Sequence, residues 1–509
     1  MPWGVLEVTT DFGHVPGTVL LEQPPGEEAA SLEHLKKQVH GDETIILVPQ
    51  PSDDPNDPLN WSLWTRDLLF LLLSYCCLLC VGGIGPILSS LALDIMALFD
   101  VSYTDVSLLT GYSLCATAAS GIFISMVTHK YGKRMPLIFS MLCAFVGTIW
   151  GGFAQSYDSL LGARIIQGLS VSMFESVFFA IVGDLYFVHE RGIRIAVVTT
   201  CVAGLSNLPT VLAGKIATDL GWRWVFWILA IFIGVGLVLS ILFGRETAYK
   251  RQAAYNTDLT SSHNLDYVDG KRDVCAAHIE RSSATSPSVT ETTTVSNSIP
   301  RQTFAARLRL YSTCYSEESL GKLAIKPIVI LQNPAVIWAA LLLAFPTLWV
   351  VAINLLIAEI FASPPFLLTT AELGYMSSGP ALGGFVGSIA AAIISDPLIK
   401  FMARRNKGIY EPEYRLVLMI PAMVLSAISY FLFGALIEHR QTPIAMAALW
   451  GTATAALQFI TMAVGTYCVD AYRKISMEIF IATMVIKNFL FYGFSCEIYV
   501  LGQGNVLRS

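Results

Sequence analysis

Leu68-Leu69-Phe70-Leu71-Leu72-Leu73-Ser74-Tyr75-Cys76-Cys77-Leu78-Leu79-Cys80-Val81-Gly82-Gly83-Ile84-Gly85-Pro86-Ile87-Leu88-Ser89-Ser90-Leu91 contains no charged side chain. A helix rising about 1.5 Å per residue needs roughly 20 apolar residues to cross bilayer hydrocarbon. This stretch, 68-91, is therefore long enough to span a membrane. Similar stretches follow near 106-128, 135-155, 159-183, 195-217 and 223-244, and, after a polar gap, near 335-360, 373-395, 415-437, 442-466 and 475-498. The chain reads as an all-α polytopic membrane protein with eleven spans.

Composition supports that reading. Hydrophobic residues make up 54% of the chain and charged ones only 14%, too much apolar surface for one soluble core to hide. A net charge of -6, with no basic groove, excludes a nucleic-acid partner. Of ten cysteines, Cys76, Cys77, Cys80, Cys115, Cys143, Cys201 and Cys468 fall in or beside apolar segments. They are expected to pack as small apolar side chains. The C-x-x-C of Cys77 and Cys80 lacks the partners that redox or zinc chemistry needs.

Basic residues mark the cytoplasmic ends of spans. Alternate loops carry Lys130, Lys133 and Arg134, then Arg191 and Arg194, then Arg404, Arg405 and Lys407, then Arg473 and Lys474. The intervening loops carry Asp94, Asp100 and Asp105, then Asp158, then Glu372, with Arg223 and Arg440 the main exceptions. The N-terminus is thus expected in the cytoplasm and, by the odd span count, Ser509 outside. Residues 1 to 66 are polar and acidic rather than leader-like, so the first span is expected to act as the targeting signal. Trp61 and Trp64 suit the headgroup boundary.

Between Arg245 and about Lys326 the hydrophobicity collapses into a Ser- and Thr-rich tract, expected to be a disordered cytoplasmic linker open to phosphorylation. Near its end, Phe304, Leu308 and Tyr311 among Arg301, Arg307 and Arg309 suggest an amphipathic helix on the membrane surface. The expected division is a tail at 1-66, a six-helix bundle at 67-244, a linker at 245-330, a five-span bundle at 331-499 and a short tail at 500-509.

Two blocks of spans around a cytoplasmic linker are the layout of transporters built from repeated halves. After the second span, Tyr131-Gly132-Lys133-Arg134 resembles the signature loop of the major facilitator superfamily. Arg164-Ile165-Ile166-Gln167-Gly168 is similar to its intramembrane R-x-x-Q-G motif, and Gly221-Trp222-Arg223-Trp224 precedes the sixth span. Asp57-Pro58-Leu59-Asn60-Trp61, Phe174-Glu175, the stretch from Gly183 to Gly192 and that from Arg404 to Glu413 resemble a fungal branch related to drug:proton antiporters and polyamine-type carriers. The resemblance implies gating by His129, Lys130, Gly132, Lys133 and Arg134, with Asp184, Arg191 and Asp396 at neighbouring cytoplasmic turns.

The chain departs from the family pattern in three places. His129 stands where the signature loop usually has Asp, whereas Asp396 occupies the comparable place in the second half; a titratable His makes the loop's latch weaker or pH-dependent. Gly204, Leu208, Pro209 and Gly214 in the fifth span follow the antiporter motif only loosely. A twelfth span, expected after Phe491-Tyr492-Gly493-Phe494, is missing.

Charged groups inside spans are costly enough to suggest function. Arg164 and Glu175 lie three helical turns apart on one expected face, about 16 Å along the axis, too far to pair directly. The resemblance makes Arg164 a proton-coupling residue, and Glu175 is a candidate site for a cationic substrate or a proton. Lys487 and Asn488 on the last span and Asn354 on the seventh complete the expected substrate or proton pathway. Asp470, Arg473 and Glu478 read as a structural cluster at a cytoplasmic turn.

No enzyme, metal, cofactor or nucleotide motif competes. What remains is secondary active transport of a small organic solute by alternating access, with protons as the coupling partner. A drug, a secondary metabolite or an organic cation is the expected type of substrate. The alternative is a non-transporting membrane sensor or an inactive truncated carrier. The expected setting is the plasma membrane, with the chain multi-pass in the lipid bilayer and acting as a monomer.

Overall fold

The computed structural model describes residues 51–52, 54–249 and 314–506, except 363–365, 407–408, 439–441 and 473–474, together with positions 303 and 309 and short strands in the N-terminal tail. Six long helices form the first half: α1 (Leu63–Phe99), α2 (Tyr103–Tyr131), α3 (Arg134–Phe153), α4 (Tyr157–Leu185), α5 (Gly192–Leu220) and α6 (Trp222–Phe243). A short helix α7 (Leu320–Val329) leads into α8 (Pro334–Ala362). Next come α9 (Thr370–Arg405), α10 (Pro412–Leu436) and α11 (Pro443–Ala471), and α12 (Ser476–Val506). Among the described residues, ten of these helices are long and apolar enough to cross a membrane.

Each expected span coincides with one of the long helices. The last differs at its far end. Its helix continues to Val506, taking in positions expected to be a short tail, because no proline lies between Ser476 and Val506 to break the backbone ladder. The expected amphipathic segment at 301-311 lies almost wholly outside the described residues, as do 250–302 of the linker. A helix of that character is found further along, at α7. Ser319 caps it by accepting from the Lys322 amide; Leu323, Pro327 and Val329 are buried, whereas Ile325 and Ile328 are exposed. Glu318 holds Lys326 at 2.5 Å, and the Tyr315 amide donates to the Lys130 carbonyl at 2.9 Å, tying this segment to the C-terminal end of α2.

The helices pack through small residues because lipid offers no hydrophobic drive between them. On α9, Gly379, Gly383 and Gly387 recur every fourth residue against the backbone of α11. A methyl group there would come within 2.0 Å of the Ala447 and Gly451 carbonyls and 2.6 Å of Ala455 Cα. Cys76, Cys77 and Cys80 are fully buried and unbridged, as packing residues would be. Large apolar side chains point outward elsewhere, with Phe431 81% and Ile444 82% exposed, which suits a face solvated by lipid.

Three helices of the first half contain a π-helical turn: α1 at Leu78–Ile84, α4 at Met173–Val177 and α5 at Thr200–Gly204. In α5 a 3-10 turn at Leu205–Asn207 follows, and the helix restarts at Leu208 with Pro209 in its first turn, where a missing amide hydrogen does no harm. Ahead of α1, Asp57 caps Pro58–Asn60, Tyr249 donates to Asp54 at 3.0 Å, and Arg245 lies over the Trp61 ring. These contacts bind the tail to the exit of α6. The tail's strand β1 (Val19–Leu20) pairs antiparallel with β4 (Ile409–Tyr410) in the α9–α10 loop, and β2 (Lys37–His40) pairs with β3 (Glu43–Ile46).

Candidate functional site

Between the two halves lies a cavity of about 230 Å³. Phe179 on α4, Val202 on α5, Val350 on α8, Leu457 on α11 and Phe480 on α12 make most of its wall apolar. Val81, Glu175 and Val202 line it from the three π-helical turns. A π-turn holds one residue more than an α-turn and so re-aims the side chains it carries. Glu175 and Lys487 are the two charged residues in the lining.

These two side chains meet. Lys487 Nζ is 3.1 Å from Glu175 Oε2, with the side chains 19% and 10% exposed, and Asn488 Nδ2 donates to the same oxygen at 3.3 Å. The carboxylate comes from the first half and both donors from the second, so the contact couples the halves. Removing one member of a buried pair leaves an uncompensated charge, at a cost of about 3–5 kcal/mol. Asn354 and Asn207 also line the cavity. Trp450 Nε1 and Thr483 Oγ1, on residues of the same lining, are buried without a hydrogen-bond partner among the described residues.

Arg164 is elsewhere. It is fully buried and is not among the lining residues. Its Nη1 donates to the Ile84 carbonyl at 2.7 Å and to Gln167 Oε1 at 3.0 Å, and its Nη2 reaches the Gly85 carbonyl at 3.4 Å. Gln167 in turn donates to Thr148 on α3 at 3.0 Å. The π-turn of α1 ends at Ile84 and frees carbonyls from the helical ladder, and Arg164 satisfies them from behind the cavity wall. The expected common face for Arg164 and Glu175 is therefore corrected: the π-turn in α4 shifts the register, and the two residues face different neighbours.

The signature loop is built around Gly132, whose φ of +94° is unfavourable for L side chains. A methyl group on it would come within 2.3 Å of the Glu246 carboxylate. Glu246, just beyond α6, accepts from the Lys133 amide at 2.9 Å and the Arg134 amide at 3.1 Å, satisfying free donors at the start of α3. Lys133 donates to Asp184 on α4, and Arg134 Nη2 donates to the Ile241 carbonyl at 2.8 Å. His129 Nε2 lies 3.1 Å from Glu478 Oε1 in the first turn of α12, an ion-pair distance without hydrogen-bond alignment. Lys130 supplies the carbonyl that receives Tyr315. Arg191 and Asp396 lie within helical segments whose side chains are outside the description.

Sequence reasoning missed Glu246 and underrated Glu478. The available signals were a lone carboxylate just past the sixth span and an acid in the first turn of the eleventh. Asp470 pairs with Arg415 and belongs to the second half's own packing.

The sequence profile of the Major Facilitator Superfamily matches residues 70–486. The chain belongs to that family. An uncharacterised transporter of the superfamily from Schizosaccharomyces pombe is 26% identical, covering 96% of this chain and 87% of the relative. Protein HOL1 of Saccharomyces cerevisiae is 24% identical over 96% of this chain and 90% of its own length. The transporter hepF of Aspergillus oryzae is 23% identical over 92% and 89%. All three are fungal, as the loop motifs implied. The xylose transporter XylE from E. coli, in a partially occluded inward-open conformation, superposes with a TM-score of 0.54 at 12% identity, covering 85% of this chain and 91% of that one. That likeness concerns the Major Facilitator fold alone. Membership makes the chain a multi-pass membrane transporter.

Proposed function

We propose that this chain is a proton-coupled secondary transporter of small organic cations, working by alternating access around the Glu175–Lys487 cavity in the plasma membrane. The observation that carries this reading is a single carboxylate in a largely apolar cavity, held across the interface by donors from the opposite half. Apolar walls accept the body of a solute, and one well-placed charge orients it. Contacts between the halves at both ends of the helices support alternating access. Glu478 meets His129 at the cytoplasmic end. At the other end Thr370 donates to Asp94 at 3.4 Å, and Gly214 and Gly374 face each other closely. Rocking of the halves must break one set at a time. Lys133, Arg134, Asp184 and Glu246 act on this motion rather than on substrate.

Purified protein in liposomes, given an imposed pH gradient and a panel of small organic cations, tests the reading through dye-reported proton movement. Cation-dependent proton flux is expected, falling at least tenfold in Glu175→Gln. Absence of flux across the panel, or flux indifferent to the gradient, rejects it.

A further inference from the structure

Lys487 presents an ammonium to Glu175 at 3.1 Å from inside a cavity whose other lining residues carry no charge. The carboxylate is therefore already occupied. Its partner is a primary ammonium on a flexible four-carbon stem, which is itself a small organic cation tethered to the second half. A solute cation cannot reach Glu175 without displacing it. Once displaced, the lysine has no second carboxylate among the lining residues, and an unpaired ammonium against apolar walls is strongly disfavoured. Lysine, unlike arginine, escapes that state by losing its proton.

We infer that Lys487 is a built-in competitor of the substrate, surrendering Glu175 and its own proton together when a singly charged organic cation binds. This rests on the cavity being the transport site. The exchange balances: a cation enters and bonds electrostatically to Glu175, Lys487 passes from ammonium to amine, and one proton leaves through the open side to water. Release of the cation on the other side reverses each step, with Lys487 taking a proton from that side. One cation thus trades for one proton, and the cavity's net charge never changes. A doubly charged solute would find only one carboxylate among the lining residues, so selection favours single charges.

The groups facing the pair are few. Cys77 on α1 and Cys201 in the π-helical turn of α5 are buried thiols of the first half. On α2, Tyr112 packs against Tyr492 of α12 with ring centroids 5.5 Å apart. Thiols and phenols are ordinarily neutral at pH 7. Arg164 is held by carbonyls behind the wall. Glu478 and its partner His129 lie at the cytoplasmic end of the helices, nine residues from Lys487 and so about 14 Å along the axis.

Tetraethylammonium is the probe, because its charge is permanent and any proton released on binding comes from the protein. Titration calorimetry on the full-length protein in nanodiscs, repeated in buffers of different ionisation enthalpy, counts those protons. Release of about one proton is expected, with affinity rising about tenfold per pH unit. Lys487→Arg keeps a cation opposite Glu175 but cannot deprotonate in this range. It is expected to bind tetraethylammonium at least tenfold more weakly, with no proton release and a flat pH dependence. Lys487→Met, which frees the carboxylate, is expected to bind more tightly than Lys487→Arg. Binding without proton release in the native protein overturns the inference. So does undiminished proton release in Lys487→Arg, which would make Glu175 the proton carrier, or no binding to any of the three proteins. Calorimetry needs no flux. Proton-linked binding with no transport in liposomes would reject the transporter reading and leave the exchange standing, whereas flux without proton release on binding would do the reverse.

Discussion

Glu175 is legible as a candidate functional residue from one fact, its charge inside an apolar helix, since such a group is retained against a large cost. Its partner is not. Lys487 stands 312 positions later on a helix whose rotation depends on packing, and no local pattern announces that the two side chains converge. Glu175→Gln keeps size and hydrogen-bonding capacity for Asn488 while removing the charge. The variant is expected at normal abundance in the membrane, with most proton-dependent flux lost and a flattened pH profile; unchanged flux and pH dependence would leave Glu175 a packing residue. At Gly132, alanine meets both a left-handed backbone and the Glu246 carboxylate. A destabilisation of about 1–3 kcal/mol, measured as a lower thermal unfolding midpoint in detergent, is the expected result. Equal stability would mean that the α2–α3 turn relaxes freely.

At the level of elements, apolar runs located every long helix, because the bilayer imposes one length on all of them. The same argument is silent on how a helix is wound inside. The wide turns in α1, α4 and α5 keep their apolar composition, so hydropathy cannot register them, and the expected alignment of Arg164 with Glu175 failed for that reason. The signature loop was placed correctly as a turn, yet the Glu246 carboxylate that caps α3 comes from 113 positions further along the chain, just beyond α6. Replacing Lys133 and Arg134 with Gln is expected to slow turnover several-fold while substrate affinity stays within about twofold, and Asp184→Asn is expected to mimic it. A large loss of affinity at normal turnover would count against gating. Beside α7, the hydrogen bond from Lys326 holds the Glu318 carboxyl below its ordinary range. A carboxyl lowered by folding stabilises the folded form above its unfolded value, and that stabilisation fades as pH falls through the lowered one. The protection factors of amides in residues 320–329, taken against the intrinsic exchange rate at each pH, are therefore expected to fall on acidification below the usual carboxylate range and to be constant from pH 6 to 8.

For the whole molecule, charge asymmetry predicts which ends of the helices share a side. Single cysteines at Ser156 and at Arg404, in a background without other accessible thiols, are expected to label from opposite faces of intact cells, with Arg404 inside. Labelling of both from one face would overturn the topology. The six-plus-five arrangement was visible in the sequence because the linker interrupts the hydropathy, whereas the glycine seam of α9 against α11 required coordinates to acquire a partner. Its register is strict: Gly383→Leu is expected to lower the amount of folded protein several-fold by size-exclusion profile, and a normal profile would show that the two helices can separate without loss.

The wide turns also bear on how such a protein changes over generations. Each stores one residue beyond what a regular helix would hold, so loss of a single codon within 173–177 would restore ordinary winding rather than break the helix. The helix on either side would keep its phase, while the side chains within the turn would be re-aimed, removing the acid from the cavity and presenting a neighbour in its place. Three helices carry such a turn beside the cavity. Small in-frame losses and gains, rather than chains of point substitutions, thus offer a short route from one solute preference to another.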